Sequence, residues 1–274
     1  MSSFLIKPED ILEEFAIDSP EEIDLEAIAE YYGATVVYES LDGFEAKIAG
    51  NDKVALITIN SNSFPRRQRF SIAHELGHWF YDRGKLLNCN SQSLRSWKLS
   101  NPETRANDFA ARLILPTKMA KPLISAISSL KFSEIVKIAD LFNVGRMATA
   151  IRVVKLIDRP AVVAYYKEGR YKWHIPNGHV PELYLHNTLD SSTVASRVLK
   201  DKFEQLGSGE EVDADAWFTR SNAGEYTVFE DAIKVQGGVL SVITWTNEQM
   251  LTDLLEEEDD NEEDDIRDKF GRKW

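Results

Sequence analysis

The chain has 274 residues, 45 acidic and 32 basic, and its formal net charge of −13 is uneven: residues 253–274 carry −7 and residues 1–252 carry −6. A hydrophobic content of 43% and a charged content of 28% belong to a folded globular chain and exclude global disorder. No apolar run reaches the roughly 18 residues of a membrane helix, the N-terminus lacks a signal-peptide pattern, and a single cysteine, Cys89, excludes a disulfide framework.

In chain order, Ile23–Tyr32 places apolar residues at helical spacing and stops at Gly33, a residue suited to a helix C-terminus. Ala34–Tyr38, Phe44–Ala49 and Val54–Ile59 read as three short strands, with Gly50-Asn51-Asp52 as a turn. Pro65 opens a helix that runs to about Tyr81. After a polar, irregular stretch at 82–100, a second helix starts near Pro102 and must end by Pro116, because a helix interior does not accommodate proline. Residues 119–157 read as further helices. Beyond Arg159-Pro160 the pattern changes: Ala161–Tyr166 and Arg170–Ile175 form a predicted hairpin and Ser192–Leu206 a helix. A Gly/Ser/acidic break follows at 207–215, then strand candidates at Trp217–Thr219, Glu225–Glu230 and Val239–Thr246. The expected organisation is a first domain at 1–158, a smaller α+β recognition or regulatory domain at 159–251, and an acidic tail at 252–274 expected to be disordered.

The helix at 65–81 contains His74-Glu75-Leu76-Gly77-His78, an HExxH match. Two imidazoles four residues apart project from one helix face, close enough to share a tetrahedral Zn²⁺. Glu75, beside the first of them, is placed to hold an attacking water and take its proton. The bland alternative is a buried helix with incidental histidines. Against it, Phe70, Ala73, Gly77 and Tyr81 share a stripe with His74 and His78, while Ile72, Leu76 and Trp79 make a second apolar face. Such a helix is buried, and buried histidines need partners.

Catalytic zinc sites usually have three protein ligands, so one is missing. In Glu103–Leu115 the inward stripe is Ala106, Phe109, Ala110 and Leu113, and projecting it back one turn reaches Glu103. A carboxylate on an apolar stripe is costly unless paired, and a metal is the available partner. Asn107, one turn on, is placed to hydrogen-bond to a ligand. Asp108 is the second choice as ligand, and Glu103 has an ordinary alternative as an acid at a helix N-terminus after Pro102.

The pair RRQRFSIAHELGHWF and ETRANDFAARLILP resembles the metallopeptidases related to the phage-immunity protease ImmA and the radiation-response protease IrrE. That family joins a helix RFxxAHExGH to a helix ExxANxFAxxLLxP, matched here by Glu103, Ala106, Asn107, Phe109, Ala110, Leu113 and Pro116. The Leu25–Tyr38 helix and strand, the VALITIN strand and the helix-turn-helix-like Ile138–Ile151 also fit, so the likeness spans roughly residues 22–156. It implies an α+β, zincin-like metallopeptidase domain: a small sheet, metal-binding helices and a helix-turn-helix-like segment at 133–157. It implies that His74, His78 and Glu103 bind Zn²⁺ and that Glu75 is the general base. It also implies limited cleavage of a regulatory protein, a helix-turn-helix repressor, to control gene expression.

The competing readings are a non-catalytic zinc-containing regulator that binds protein or DNA, or one half of a toxin–antitoxin or phage-defence pair. The expected setting is cytoplasmic, with a protein substrate and no membrane partner. A body at −6 argues against broad nucleic-acid binding, and so do the few bases, Arg146, Arg152 and Lys155, near the 138–151 segment. His174, His179 and His186 are expected to be structural, the Tyr165–Trp173 hairpin to be core or interface, and Cys89 an ordinary loop thiol. An exposed strand within 44–59 is expected to align substrate by β-addition. Oligomeric state leaves no mark in the sequence.

Overall fold

The computed structural model describes residues 6–83, 101–201, 209–219 and 223–253; Cys89 and the tail beyond 253 lie outside the described residues. The chain divides into two compact units, Met1–Leu123 with Val136–Arg152, and Ile124–Ile135 with Val153–Trp274.

The first unit opens with a short helix, α1 (Pro8–Glu14), which the sequence pattern does not announce. Asp24 accepts a hydrogen bond from the Ala27 amide at 3.0 Å and so starts α2 (Leu25–Tyr31). Gly33 ends that helix at φ +81°, and a Cβ there would meet the Lys53 carbonyl oxygen at 2.9 Å, so glycine is required. The chain continues into β1 (Ala34–Glu39), β2 (Ala46–Gly50) and β3 (Ala55–Asn60). β3 is central, parallel to β1 and antiparallel to β2, and its Ile57 and Ile59 are fully buried. Among the described residues β2 pairs only with β3 and leaves its other edge open. α3 (Pro65–Tyr81) packs on β2 and β3 and against α4 (Pro102–Ile114), whose N-cap Asn101 accepts from the Glu103 amide.

α5 (Thr117–Ser125), α6 (Phe132–Leu141) and α7 (Arg146–Leu156) supply the helices expected over 119–157. The α6–α7 turn is made by Asn143 at φ +51°, with its amide on the Asp140 carbonyl and the Val144 amide on the Ala139 carbonyl. The neighbouring Gly145 has no positive φ. Thr149 is fully buried and its hydroxyl donates to the Gly145 carbonyl. Arg152 is turned inward to the Leu115 carbonyl and the Thr117 hydroxyl, so it is not a surface base.

The second unit is an antiparallel five-stranded sheet in the order β5-β4-β8-β7-β6. The β4 (Ala161–Lys167) to β5 (Arg170–Pro176) hairpin turns through Glu168 and Gly169, both at positive φ, the pair a tight two-residue turn demands. Tyr166 in that hairpin is core: its ring packs edge-on to Trp217 and its hydroxyl donates to the His186 carbonyl. α8 covers Val194–Lys200, shorter than expected within the described residues. β7 (Thr227–Val235) runs five residues past its expected end, and β8 (Gly238–Thr244) is buried throughout. Glu230 is fully buried on β7 and accepts from the Val194 and Ala195 amides and from the Trp217 indole.

Two sequence expectations fail here. The strand at Trp217–Thr219 does not form; Trp217 follows a 3-10 turn at Ala214–Ala216, and only Phe218 bridges to Leu185. Conversely, β6 (Glu210–Asp213) lies inside the stretch read as a break, because cross-strand pairing with β7 outweighs its polar composition and only Val212 is buried.

Candidate metal centre

The centre is built where α3 crosses α4. Gly77 makes the crossing close: a Cβ on it would lie 2.8 Å from the Ala106 Cα and 3.2 Å from its Cβ. Two residues without bulk thus meet, while Phe109, Ala110 and Leu113 continue the buried stripe of α4. That approach carries Glu103, at the start of α4, to the HExxH face of α3.

His74, His78 and Glu103 each offer one donor atom, and these atoms all lie within 4.8 Å of one another. The two Nε2 atoms are 3.2 Å apart, with Glu103 Oε2 at 3.3 Å from His74 Nε2 and Oε1 at 3.4 Å from His78 Nε2. Behind the ring of His74, Nδ1 lies 3.0 Å from Asn107 Oδ1. Behind the ring of His78, Nδ1 lies 3.2 Å from Asp82 Oδ2, a fully buried acid whose other oxygen accepts from Arg105 Nη2 at 2.7 Å. Asp108, the alternative ligand, is outside this group and faces Arg112 at 3.6 Å. Glu75 is 3% exposed, burial pushes its pKa up, and its Oε2 has no hydrogen-bond partner.

The donor chemistry fits a cation. With oxygen acceptors at both Nδ1 positions, each imidazole carries its proton there and turns the Nε2 lone pair inward. Two lone pairs and a carboxylate then converge with no hydrogen among them. The contacts with His74, then His78, hold the Glu103 carboxyl down at about 2.

Sequence reading missed Asp82 and Arg105. The signal for Asp82 was present, an acid four residues after the second histidine, on the same side of the helix end. Arg105 left none, since its partner is 23 residues away on another element.

A small sheet with two crossed helices that converge a His, a His and a Glu defines the metallopeptidase-like class of α+β protein. Residues 29–154 match the model of the peptidase M78 family, the IrrE N-terminal-like domain, so this stretch of the chain is similar to that family. The match supports a metallopeptidase-like role for this stretch, with which the His74, His78 and Glu103 group is consistent. No curated protein matches the chain. A solved structure of a "Mycobacterium tuberculosis transcriptional regulator" is similar at TM-score 0.50 and 14% identity, over 86% of this chain and 73% of that one; the likeness is one of fold. No helix among the described residues is long and apolar enough to cross a membrane.

Proposed function

We propose that the chain is a zinc-dependent endopeptidase that makes limited cuts in a regulatory protein, a helix-turn-helix repressor. The observation that carries this reading is the convergence of His74 Nε2, His78 Nε2 and the Glu103 carboxylate beside the partnerless Oε2 of Glu75. Two imidazoles and a carboxylate are the donor set of catalytic zinc sites that keep a position open. When bound, the metal supplies Lewis acidity that brings the pKa of water near neutrality and polarises a carbonyl.

Glu75 accepts the proton of the attacking water. It then releases that proton to the departing amine. Asn107 orients the His74 ring. β2, the open edge strand packed against α3, aligns an extended substrate backbone by strand addition. Residues 159–251 act as the recognition or regulatory domain.

The test incubates the zinc-loaded full chain with the helix-turn-helix regulator encoded beside it. Wild type is expected to cut that regulator at one or a few bonds and Glu75→Gln to leave it whole. Equal survival of the regulator with both proteins refutes cleavage of that target. The non-catalytic alternative draws on the Mycobacterium tuberculosis neighbour, a transcriptional regulator. Glu75 weighs against it, since a buried carboxylate outside the ligand group has no use in a merely structural metal site.

A further inference from the structure

We infer that Asp82, braced by Arg105, is the positioning residue that fixes His78 and sets how tightly the site holds its metal. The inference rests on the metal-site reading above.

Asp82 is the C-cap of α3, one turn beyond His78, and its side chain is 1% exposed. Its two oxygens divide their work: Oδ2 faces His78 Nδ1 at 3.2 Å and Oδ1 receives Arg105 Nη2 at 2.7 Å. A carboxylate at that depth needs a compensating charge. Arg105 supplies it from α4, two residues after Glu103. α4 therefore holds the centre from both sides, with Glu103 in front of the histidine Nε2 atoms and Arg105 behind the acid that orients His78.

The two histidines are consequently unequal. Behind His74 stands the neutral amide of Asn107; behind His78 stands a charged acceptor. A charged acceptor pins the Nδ1–H tautomer more firmly and makes the opposite nitrogen the stronger donor. His78, with a fully buried side chain, cannot find a substitute partner in solvent. Asp82 also ties the end of α3 to α4, so the same contact that orients the ligand registers the two helices that carry the ligand set.

The experiment measures Zn²⁺ affinity of the full chain by competition with a chromophoric chelator. Each metal-free variant is melted in parallel. Asp82→Asn keeps the size of the side chain and removes its charge; affinity is expected to fall roughly 10–100-fold. Arg105→Gln leaves the acid but removes its brace, and a smaller loss is expected. In the zinc-loaded chains the side-chain ¹⁵N shift of His78 Nδ1 should move between wild type and Arg105→Gln while that of His74 Nδ1 stays, a readout that a purely structural role for Asp82 does not require. Asp82→Asn binding within twofold of wild type overturns the inference. Should Asp82→Asn fail to fold, Arg105→Gln decides: wild-type zinc affinity together with an unmoved His78 Nδ1 shift overturns it. A wild type that binds no zinc, or a His78→Ala chain that binds it as well as wild type, refutes the metal-site reading itself.

Discussion

Glu75 is a single buried acid that costs the metal-free fold stability. Its carboxyl is buried, one oxygen has no partner, and desolvation raises its pKa above the ordinary value of 4.5. The sign follows from linkage. Where the folded-state pKa is raised, the folded chain binds a proton at a pH where the unfolded chain does not, so the penalty is full above the folded value and is relieved as pH falls through it. Metal-free Glu75→Gln is therefore expected to melt above metal-free wild type at pH 8, by about 1–3 kcal/mol of stability. The gap should narrow at pH 5. Thermal melts in excess chelator at the two pH values check this; a Gln variant that melts at or below wild type at pH 8 would contradict it. The same substitution abolishes the proposed cleavage, so the more stable protein is the inactive one.

At the scale of elements the α3–α4 crossing decides whether a site exists. Alanine at position 77 gains about 1 kcal/mol of helix propensity over glycine, yet its Cβ would sit 2.8 Å from the Ala106 backbone. Overpacking of that kind costs about 1–3 kcal/mol, and the relief is for the helices to separate, which withdraws Glu103 from the histidines. Gly77→Ala is expected to lower both the melting temperature and the zinc affinity, the latter at least tenfold; calorimetry and chelator competition read the two, and retention of wild-type zinc affinity would show that the crossing has slack. The ends of α3 and α4 were legible because prolines and helical apolar spacing mark them. His74 and His78 were legible as residues one turn apart on α3, and Glu103 as the position one turn before the inward stripe of α4. Asp82 with Arg105 was not, because a contact between elements leaves no period in the sequence. β6 was hidden for a related reason: a strand of Glu210, Glu211, Val212 and Asp213 is defined by its partner β7 rather than by its composition. At the α6–α7 turn Asn143, not the nearby Gly145, occupies the left-handed region, which asparagine tolerates.

For the whole molecule the question is how far metal binding is felt. All three donor residues, and Asn107, Asp82 and Arg105 behind them, fall in the first unit. The second unit holds its buried acids with its own groups: Glu230 takes the first amides of α8 and the Trp217 indole, and Asp231 accepts the Phe132 amide at 2.7 Å. Burial raises the pKa of both acids, and those donors oppose the rise. Each unit thus satisfies these buried charges from within itself, so a ligand on the first unit need not alter the polar contacts of β4–β8. Zinc at 100 times its Kd stabilises whatever unit binds it by about 2.7 kcal/mol, and local stability need not be shared between units. Hydrogen exchange with and without zinc should therefore show amide protection rising in α3 and α4 while β7 and β8 stay as they were. Equal gains in β7 and β8 would mean that the two units unfold as one.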